Sequence, residues 1–205
     1  MRCCYMSKLV LTLAAGVAGG FMIQATLTPT IAIQPETEPI SDAASEQQNE
    51  RMKAMMLGQP GEHHEFFNQS IGTWDAQVEF YRPDGSVMAG EGTMTSEWVL
   101  GGRFVQSNFD MPDFEGAPFN GIAYNGYDNF KESYTSVWMD SMSTAIIYST
   151  SELVDGEFIT VGPNGHGGMM KTIATIDGDE GKDIFFEQED DGSWRKSGVI
   201  TYTRQ

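Results

Sequence analysis

Hydrophobic and polar side chains alternate along the chain from Trp74 to its end, in short runs separated by turn residues. In residues 74–81 the apolar members Trp74, Ala76, Val78 and Phe80 fall on one face, and the polar members fall on the other. A period of two residues is typical of a β-strand with one buried face. Turn residues rich in Gly, Asp and Asn recur about every eight to twelve residues, which is typical of an all-β sandwich or barrel.

The later runs predict further strands of the same sheet. They are residues 92–98, 103–109, 121–127, 133–139, 145–153, 158–161, 169–176, 184–189 and 194–203. Turns as short as those between them make antiparallel neighbours. A meander of this length closes on itself, which removes exposed edges. The predicted fold is therefore all-β, an antiparallel up-and-down barrel of about ten strands, wide enough for one small ligand.

Two short N-terminal helices are predicted before the first strand. Ser45 and Gln48 have the spacing of an N-terminal capping box. Three methionines follow on one side of that helix, namely Met52, Met55 and Met56. The Pro60–Gly61 pair ends it, and a second helix over residues 62–70 precedes a glycine that stops the helix and starts the sheet.

The first 32 residues differ in kind from the rest. Arg2 and Lys8 precede an uncharged apolar run over residues 9–23, and small residues then lead to Ala32. This order predicts a signal peptide over residues 1–32. The run of 15 residues is shorter than the roughly 20 that span a bilayer. We therefore expect cleavage after Ala32 and export to the periplasm or the extracellular space, with an uncleaved membrane anchor as the alternative.

The expected mature chain has two parts. Residues 33–60 comprise an acidic, Pro-rich tether over residues 33–44 and the first helix, and residues 61–205 form the barrel domain. The whole chain has a net charge of −17, and the predicted signal peptide contains no acid. An excess of acids this large argues against nucleic acid and anionic membrane surfaces as partners. We expect no stable membrane insertion after cleavage, and the oligomeric state stays open.

The start of the first strand resembles that of the lipocalin-type, or calycin, barrels. The resemblance rests on Gly72, Thr73 and Trp74 after a short helix, and on Arg204 in the last strand. In such barrels the arginine packs over the tryptophan and plugs the closed end. The resemblance therefore implies a structural signature of Gly72, Trp74 and Arg204.

More of the chain is similar to a bacterial family known as domain-of-unknown-function family 1579. The matching pieces are Pro60-Gly61-Glu62-His63, Gly72-Thr73-Trp74, Leu100-Gly101-Gly102-Arg103-Phe104, Gly126-Tyr127-Asp128-Asn129, residues 138–144 and residues 200–204. They span about residues 47 to 204. The glycine loop over residues 162–168 is shorter than the family resemblance leads us to expect. The resemblance implies the barrel fold and no activity.

Three observations argue against a metal or a cofactor. His63 and His64 are adjacent, about 100° apart around a helix, so they cannot chelate one ion together. Haem-binding barrels of this type use a late-strand histidine, and residues 169–205 contain none. The Asp-rich tips at residues 177–180 and 187–191 lack the spacing of a helix-loop-helix calcium site. We predict no metal, no cofactor and no catalytic residue set.

The stretch of residues 138–144 is the strongest candidate for a binding site. Alternation places Tyr134, Trp138 and Asp140 on one face, so that an inward face would put Asp140 and Ser141 at the mouth of the barrel. The candidate ligand-binding residues are Trp138, Asp140, Ser141, Tyr134, Asn125, Tyr127, Gln106 and Arg103, the last as a buried partner of Asp140. The alternative is that Asp140 and Ser141 only cap a turn through bonds to the backbone.

These features leave three functions open. The first is an exported barrel that binds a small apolar or amphipathic ligand, for which flexible methionines are suited. The second is an enzyme that uses the carboxylate of Asp140, although no partner group with a complementary pKa is apparent. The third is a filled barrel that takes part in interactions at the cell envelope. We favour the first of these.

Overall fold

The computed structural model describes residues 42–205, and they form a closed barrel preceded by short helices. The helices are α1 (Asp42–Leu57), α2 (Glu62–Glu65) and a 3₁₀ helix (Phe66–Ser70). The ten strands are β1 (Gly72–Tyr81), β2 (Val87–Val99), β3 (Phe104–Phe114), β4 (Ala117–Asp128), β5 (Ser133–Asp140), β6 (Ile147–Val154), β7 (Glu157–Pro163), β8 (Met169–Asp177), β9 (Glu180–Gln188) and β10 (Trp194–Arg204). The predicted signal peptide and tether residues 33–41 lie outside the described residues.

Each strand pairs antiparallel with the next one along the chain, and β1 pairs with β10 to close the ring. The closing register runs from Trp74 opposite Arg204 to Phe80 opposite Gly198. The all-β, up-and-down barrel predicted from the alternation is therefore confirmed, as is the number of strands. Four turns, after β2, β4, β6 and β8, lie at the end capped by the helices, which we call the helical end. The turns after β1, β3, β5, β7 and β9 form the opposite end, which we call the rim.

The helical end is closed by the residues of the predicted signature. The guanidinium of Arg204 lies over the Trp74 ring, 3.9 Å from its centroid, and Trp74 Nε1 donates to Ser70 O over 3.0 Å. Gly72 adopts a φ of +127°, and a Cβ there would lie 3.0 Å from Arg204 Nη1. Glycine is required at position 72 because both the backbone angle and the arginine exclude a side chain.

Helix α1 differs from the prediction. It includes Asp42, so the helix covers residues that we assigned to the tether. Ser45 Oγ donates to Asp42 O over 2.7 Å within the first turn instead of capping the helix. No residue of α1 is buried, and Met55 and Met56 are 71% and 76% exposed. The methionine side of α1 therefore does not pack on the barrel core.

Strand β2 begins at Val87, five residues before the predicted start. Gly90 and Gly92 interrupt the apolar pattern there, although the ladder with β1 continues through both. A Cβ on Gly92 would lie 2.8 Å from Asp110 O and 2.9 Å from Met111 Cγ. These glycines let β3 side chains cross the strand, so alternation of side chains could not reveal this part of β2.

The core has two parts. Phe67, Val105, Tyr134 and Phe158 are buried at the helical end, where the 3₁₀ helix inserts its aromatic rings. A second cluster lines the strands that close the barrel and contains Trp74, Ala76, Val78, Phe109, Met111, Ile200 and Tyr202. Burial of each large apolar side chain contributes about 1.5–3 kcal/mol to folding. Within residues 42–205, no helix has the length and hydropathy needed to cross a membrane.

Candidate functional site

The barrel encloses a cavity of about 510 Å³ that extends from the helical end to the rim. Phe66 and Phe67 of the 3₁₀ helix border it at one end, and Asp140 and Glu187 border it at the other. Eight strands make a barrel that side chains just fill. Ten strands make a wider one, and small inward residues such as Ala123 leave part of the interior empty.

One half of the cavity wall is polar. Asn125, Ser136 and Ser149 are cross-strand neighbours on β4, β5 and β6, and Thr160 and Thr172 are neighbours on β7 and β8. All five side chains line the cavity. Ser96 and Ser107 add a buried hydroxyl pair on β2 and β3, with 2.7 Å between the two oxygens. Seven consecutive strands, β2–β8, thus present hydroxyl or amide groups to the cavity.

The strands that close the barrel contribute a mainly apolar wall. Its large apolar members are Trp74, Phe80, Phe185 and Ile200, and Asp183, Glu187 and Tyr202 of β9 and β10 also line the cavity. Phe80 packs against Phe185 with ring centroids 5.5 Å apart. These strands stand on the other side of the ring from β5 and β6. The cavity lining therefore combines apolar side chains with hydroxyl, amide and carboxyl groups, and the cavity is amphipathic.

Trp138 and Asp140 form a linked pair near the rim. Trp138 Nε1 donates to Asp140 Oδ2 over 2.9 Å, and the Met142 amide donates to Asp140 Oδ1 over 2.9 Å. Both residues line the cavity. The carboxylate therefore faces the cavity and also caps the turn after β5, so the two readings of Asp140 are compatible. A Cβ on Gly121 would lie 2.1 Å from Trp138 Cη2, so glycine makes room for the indole.

Three of the eight predicted ligand-binding residues line the cavity, namely Asn125, Trp138 and Asp140. Tyr134 shares their face of β5 but is buried in the aromatic cluster at the helical end. Tyr127 stacks on His63 with ring centroids 4.1 Å apart, beside α2. Neither tyrosine borders the cavity, because each lies at the helical end of its strand, next to the helices that close the barrel.

Three other predicted residues lie away from the cavity, which corrects their expected place. Gln106 accepts from Tyr124 OH over 3.1 Å on the outer face of β3, because the neighbouring Val105 takes the inward position. Ser141 exchanges hydrogen bonds with the backbone of Asn120, through Ser141 N to Asn120 O over 2.8 Å and Asn120 N to Ser141 Oγ over 3.0 Å. It extends the β4–β5 ladder, as the turn-capping alternative required.

Arg103 was expected to pair with Asp140, and this expectation is wrong. Its Nε donates to Gly58 O over 2.9 Å, and its Nη1 donates to Leu100 O over 3.1 Å. These partners lie at the helical end, whereas Asp140 ends β5 at the rim. Arg103 instead ties the segment after α1 to the β2–β3 turn.

The cavity contains a carboxyl–phenol pair that the sequence patterns did not indicate. Tyr202 OH donates to Asp183 Oδ2 over 2.9 Å, and both residues line the cavity. Burial raises the pKa of Asp183 to about 6, although part of its surface borders the cavity. Burial, followed by the nearby Asp183 charge, raises the pKa of Tyr202 well above its usual value. The inward alternation of Gly181, Asp183 and Phe185 was the available signal, but an acid in a strand suggested an exposed face.

The rim contains an ion-pair network. Arg195 Nη2 lies 2.6 Å from Glu187 Oε2, and Arg195 Nε lies 2.5 Å from Glu189 Oε1. Glu187 borders the cavity, so the arginine compensates the charge of that carboxylate.

The two helix histidines have separate structural contacts. His64 Nδ1 accepts from the Gly61 amide over 3.1 Å, and burial lowers the pKa of this imidazole. His63 stacks on Tyr127. Within residues 42–205 no group of three or more His, Cys, Asp or Glu residues is placed to hold a metal ion.

The closed ring of ten antiparallel strands, with an arginine over the tryptophan of β1, defines a calycin-like barrel protein. The sequence places it in a particular family of this class. Residues 59–204 match the family described as "Protein of unknown function (DUF1579)", and the chain belongs to that family.

Solved structures of other proteins share the fold. The structure of Rv2717c from M. tuberculosis has a TM-score of 0.54 and 13% identity, and the match covers 72% of this chain and 99% of the other. The S-type phycobiliprotein lyase CPES from Guillardia theta has a TM-score of 0.51 and 12% identity, with 74% and 96% covered. At these identities the similarity shows the fold alone. Among curated proteins, none is significantly similar in sequence.

Proposed function

We propose that this protein binds a small amphipathic molecule inside its barrel. The observation that carries the proposal is the cavity of about 510 Å³. Small-molecule sites typically occupy about 300–1,000 Å³ and combine an apolar lining with a few placed polar groups. The aromatic and aliphatic side chains of the lining, together with its hydroxyl, amide and carboxyl groups, have this combination.

The polar wall favours a hollow barrel over a filled one. In a filled core we expect aliphatic side chains at the positions of Ser136, Ser149 and Thr172, because a buried polar group without a partner costs about 1–3 kcal/mol. A ligand or water in the cavity supplies partners for these hydroxyls. The phycobiliprotein lyase of similar fold is in line with a small-molecule role.

We prefer binding to catalysis through Asp140. Both oxygens of its carboxylate already accept hydrogen bonds, from Trp138 and from the backbone of Met142. A general acid or base must lie within hydrogen-bond reach of the reacting proton, whereas these bonds tie the Asp140 carboxylate to Trp138 and to the turn after β5.

The proposal is tested by titrating the protein with the neutral dye N-phenyl-1-naphthylamine while exciting tryptophan. We expect saturable quenching of tryptophan emission, because Trp138 lines the cavity. The variant Trp138→Phe should lose the part of this response that Trp138 contributes, while Trp74, which also lines the cavity, keeps its own share. The matched control is Trp194→Phe, since Trp194 lies by Lys171, with the ammonium 4.9 Å from its ring centroid, and does not border the cavity.

Two results would overturn the proposal. The first is a wild-type protein that gives no saturable response to the dye. The second is a response that both variants retain equally, because the dye would then bind elsewhere. Native mass spectrometry of protein from its own source adds an independent measurement, since a retained small molecule would add a defined mass to the chain.

The proposal includes export. It rests on the basic, apolar and small-residue segments within residues 1–32. A cleaved leader would leave an acidic chain that binds its ligand outside the cytoplasm.

A further inference from the structure

We propose that the cavity selects ligands that carry a protonated amine, and that the Asp183 carboxylate holds the charged nitrogen. The inference rests on the proposed function, because it names the chemical class that the cavity would accept.

Asp183 is placed as an anchor in the wall of the cavity. It lies on β9 between Ala174 of β8 and Ile200 of β10, so small or apolar side chains flank it. Its Oδ2 accepts from Tyr202 OH over 2.9 Å. No donor among residues 42–205 reaches Oδ1, which leaves that oxygen able to accept a bond from a ligand. The phenol of Tyr202 therefore orients the Asp183 carboxylate, and Oδ1 remains available to a ligand.

The other acids of the lining are already engaged. The Glu187 carboxylate is paired with Arg195 at the rim, and both Asp140 oxygens hold the β5 turn and Trp138. In the described part of the chain, Asp183 is thus the lining acid that has an oxygen without a donor and no basic side chain paired with it.

The charge of the lining favours a cation. Among residues 42–205, the side chains around the cavity include Asp140, Asp183 and Glu187 but no lysine and no arginine. A cavity lined by acids between low-dielectric walls repels an anionic ligand and attracts a cationic one. Fatty acids are accordingly poor candidates, since their carboxylate would meet acids without a basic partner.

The desolvation of the Asp183 carboxyl also favours a cationic ligand. Removal of the Asp183 carboxyl from water disfavours its ionised form, and the pKa of about 6 reflects that cost. A protonated amine supplies the missing counter-charge, whereas a neutral alcohol of the same shape supplies only a hydrogen bond. The apolar part of an amphipathic ligand can pack against Phe80 and Phe185, and its other polar groups can bond to the hydroxyls across the cavity.

The experiment compares three probes that share a naphthalene ring and differ in charge. They are 1-naphthylmethylamine, 1-naphthylmethanol and 1-naphthoate, titrated by calorimetry at pH 7.5. We expect the amine to bind at least about tenfold more tightly than the alcohol, which is the ratio expected from one favourable charge contact. The naphthoate should bind most weakly.

The Asp183→Asn variant tests the assignment to this residue. Asparagine has nearly the same shape and keeps an oxygen that accepts from Tyr202 OH. It should remove the preference for the amine and leave the affinity for the alcohol within about twofold. Glu97→Gln is the matched control, because it removes one negative charge from an exposed position on the outer face of β2, and it should keep the amine preference.

The pH dependence of the wild-type protein gives a second test that needs no variant. The amine probe stays protonated between pH 5 and 7.5, whereas Asp183 takes up a proton as the pH falls through about 6. The ratio of amine to alcohol affinity should therefore fall toward pH 5. The other titratable groups that border the cavity are Tyr202, Asp140, Glu187 and His166, and the Asp183→Asn variant should show a flat ratio if Asp183 is responsible.

The outcomes separate this inference from the proposed function. Equal binding of the amine and the alcohol by the wild-type protein would overturn the inference and leave the proposed function standing. An amine preference that persists in Asp183→Asn, or a ratio that does not change with pH, would overturn the role of Asp183. If none of the three probes nor the neutral dye binds, both proposals fail.

Discussion

The guanidinium of Arg204 lies over the ring of Trp74, with its central carbon 3.9 Å from the ring centroid. The same side chain donates from Nη2 to Gln69 O over 2.8 Å and from Nε to Asp179 Oδ1 over 3.0 Å. One arginine of the last strand thus joins the first strand, the 3₁₀ helix and the β8–β9 turn. It closes the end of the barrel opposite the rim.

The first prediction concerns this contact. Arg204→Ala should lower the free energy of unfolding by about 2–4 kcal/mol, because it removes a cation–π contact and leaves backbone carbonyls without their donors. The stability of Arg204→Lys should lie between that of the wild type and that of Arg204→Ala, since an ammonium keeps the charge without the planar fork of the guanidinium. Urea denaturation measures both. Arg82→Ala, which removes an exposed ion pair with Glu115, is the control and should cost less than about 1 kcal/mol. An unchanged midpoint in Arg204→Ala would contradict the closing role.

A second prediction concerns the glycine beside Trp138. Gly121→Ala should destabilise the protein by about 1–3 kcal/mol and shift the tryptophan emission, because the new methyl group overlaps the indole. It should also weaken dye binding, since the indole must move in the cavity wall. Gly61→Ala is the control, because nothing lies within 4 Å of a Cβ there. Thermal unfolding and fluorescence spectra measure the effect, and equal behaviour of the two variants would argue against the placement of Trp138.

The third prediction is a pH dependence of stability caused by Asp183. Its pKa of about 6 in the fold lies above the ~3.9 of an unfolded chain. Between these values the folded chain holds a proton that the unfolded chain has released. The contribution of Asp183 to the free energy of unfolding therefore falls as the pH rises from about 4 to 6, and it stays low above that range.

The variant Asp183→Asn isolates this contribution. When the pH is raised from 4 to 7.5, the free energy of unfolding of Asp183→Asn should increase, relative to that of the wild type, by on the order of 1–3 kcal/mol. The reason is that asparagine does not ionise. Urea denaturation at both pH values measures the difference. Glu97→Gln on the outer surface should show a change of less than about 0.5 kcal/mol at either pH. A stability difference of Asp183→Asn that is the same at both pH values would refute a buried, titrating carboxyl.

The fourth prediction concerns export. The mature protein should begin at Ile33, after cleavage at Ala32. N-terminal sequencing of the protein from the periplasm or the medium checks this. A mature chain that starts at Met1 would argue against a cleaved leader and favour the membrane-anchor alternative.

The sequence predicted the architecture well and the site incompletely. Alternation in residues 74–81, 133–139 and 194–203 located strands that the structure confirms, because a strand exposes its two faces in strict turn. The same alternation grouped Trp138 with Asp140 and Asn125 with Tyr127. It did not distinguish Gln106, on the outer face of β3, from Ser107, which lines the cavity.

The Asp183–Tyr202 pair, which the sequence patterns did not indicate, shows why the site was predicted only in part. Asp183 and Tyr202 are 19 positions apart, and nothing in either local pattern relates them. An acid between lysine and isoleucine in a strand suggests an exposed face, and a tyrosine fits both faces. Only the pairing of β9 with β10 brings the phenol to the carboxyl and places both in the wall of the cavity.

Local alternation therefore established the strands and the short turns, because each depends on backbone angles and near neighbours. The signature of Gly72, Trp74 and Arg204 came from the family resemblance, and the pairing of β1 with β10 brings Trp74 and Arg204 together. The closed ring decided which face of each strand is inside, how wide the interior is and which polar groups meet there. The physical reason is that closure couples the ten strands at once: ten make a ring wider than their inward side chains fill. That closure made Asp183 a buried acid beside a cavity.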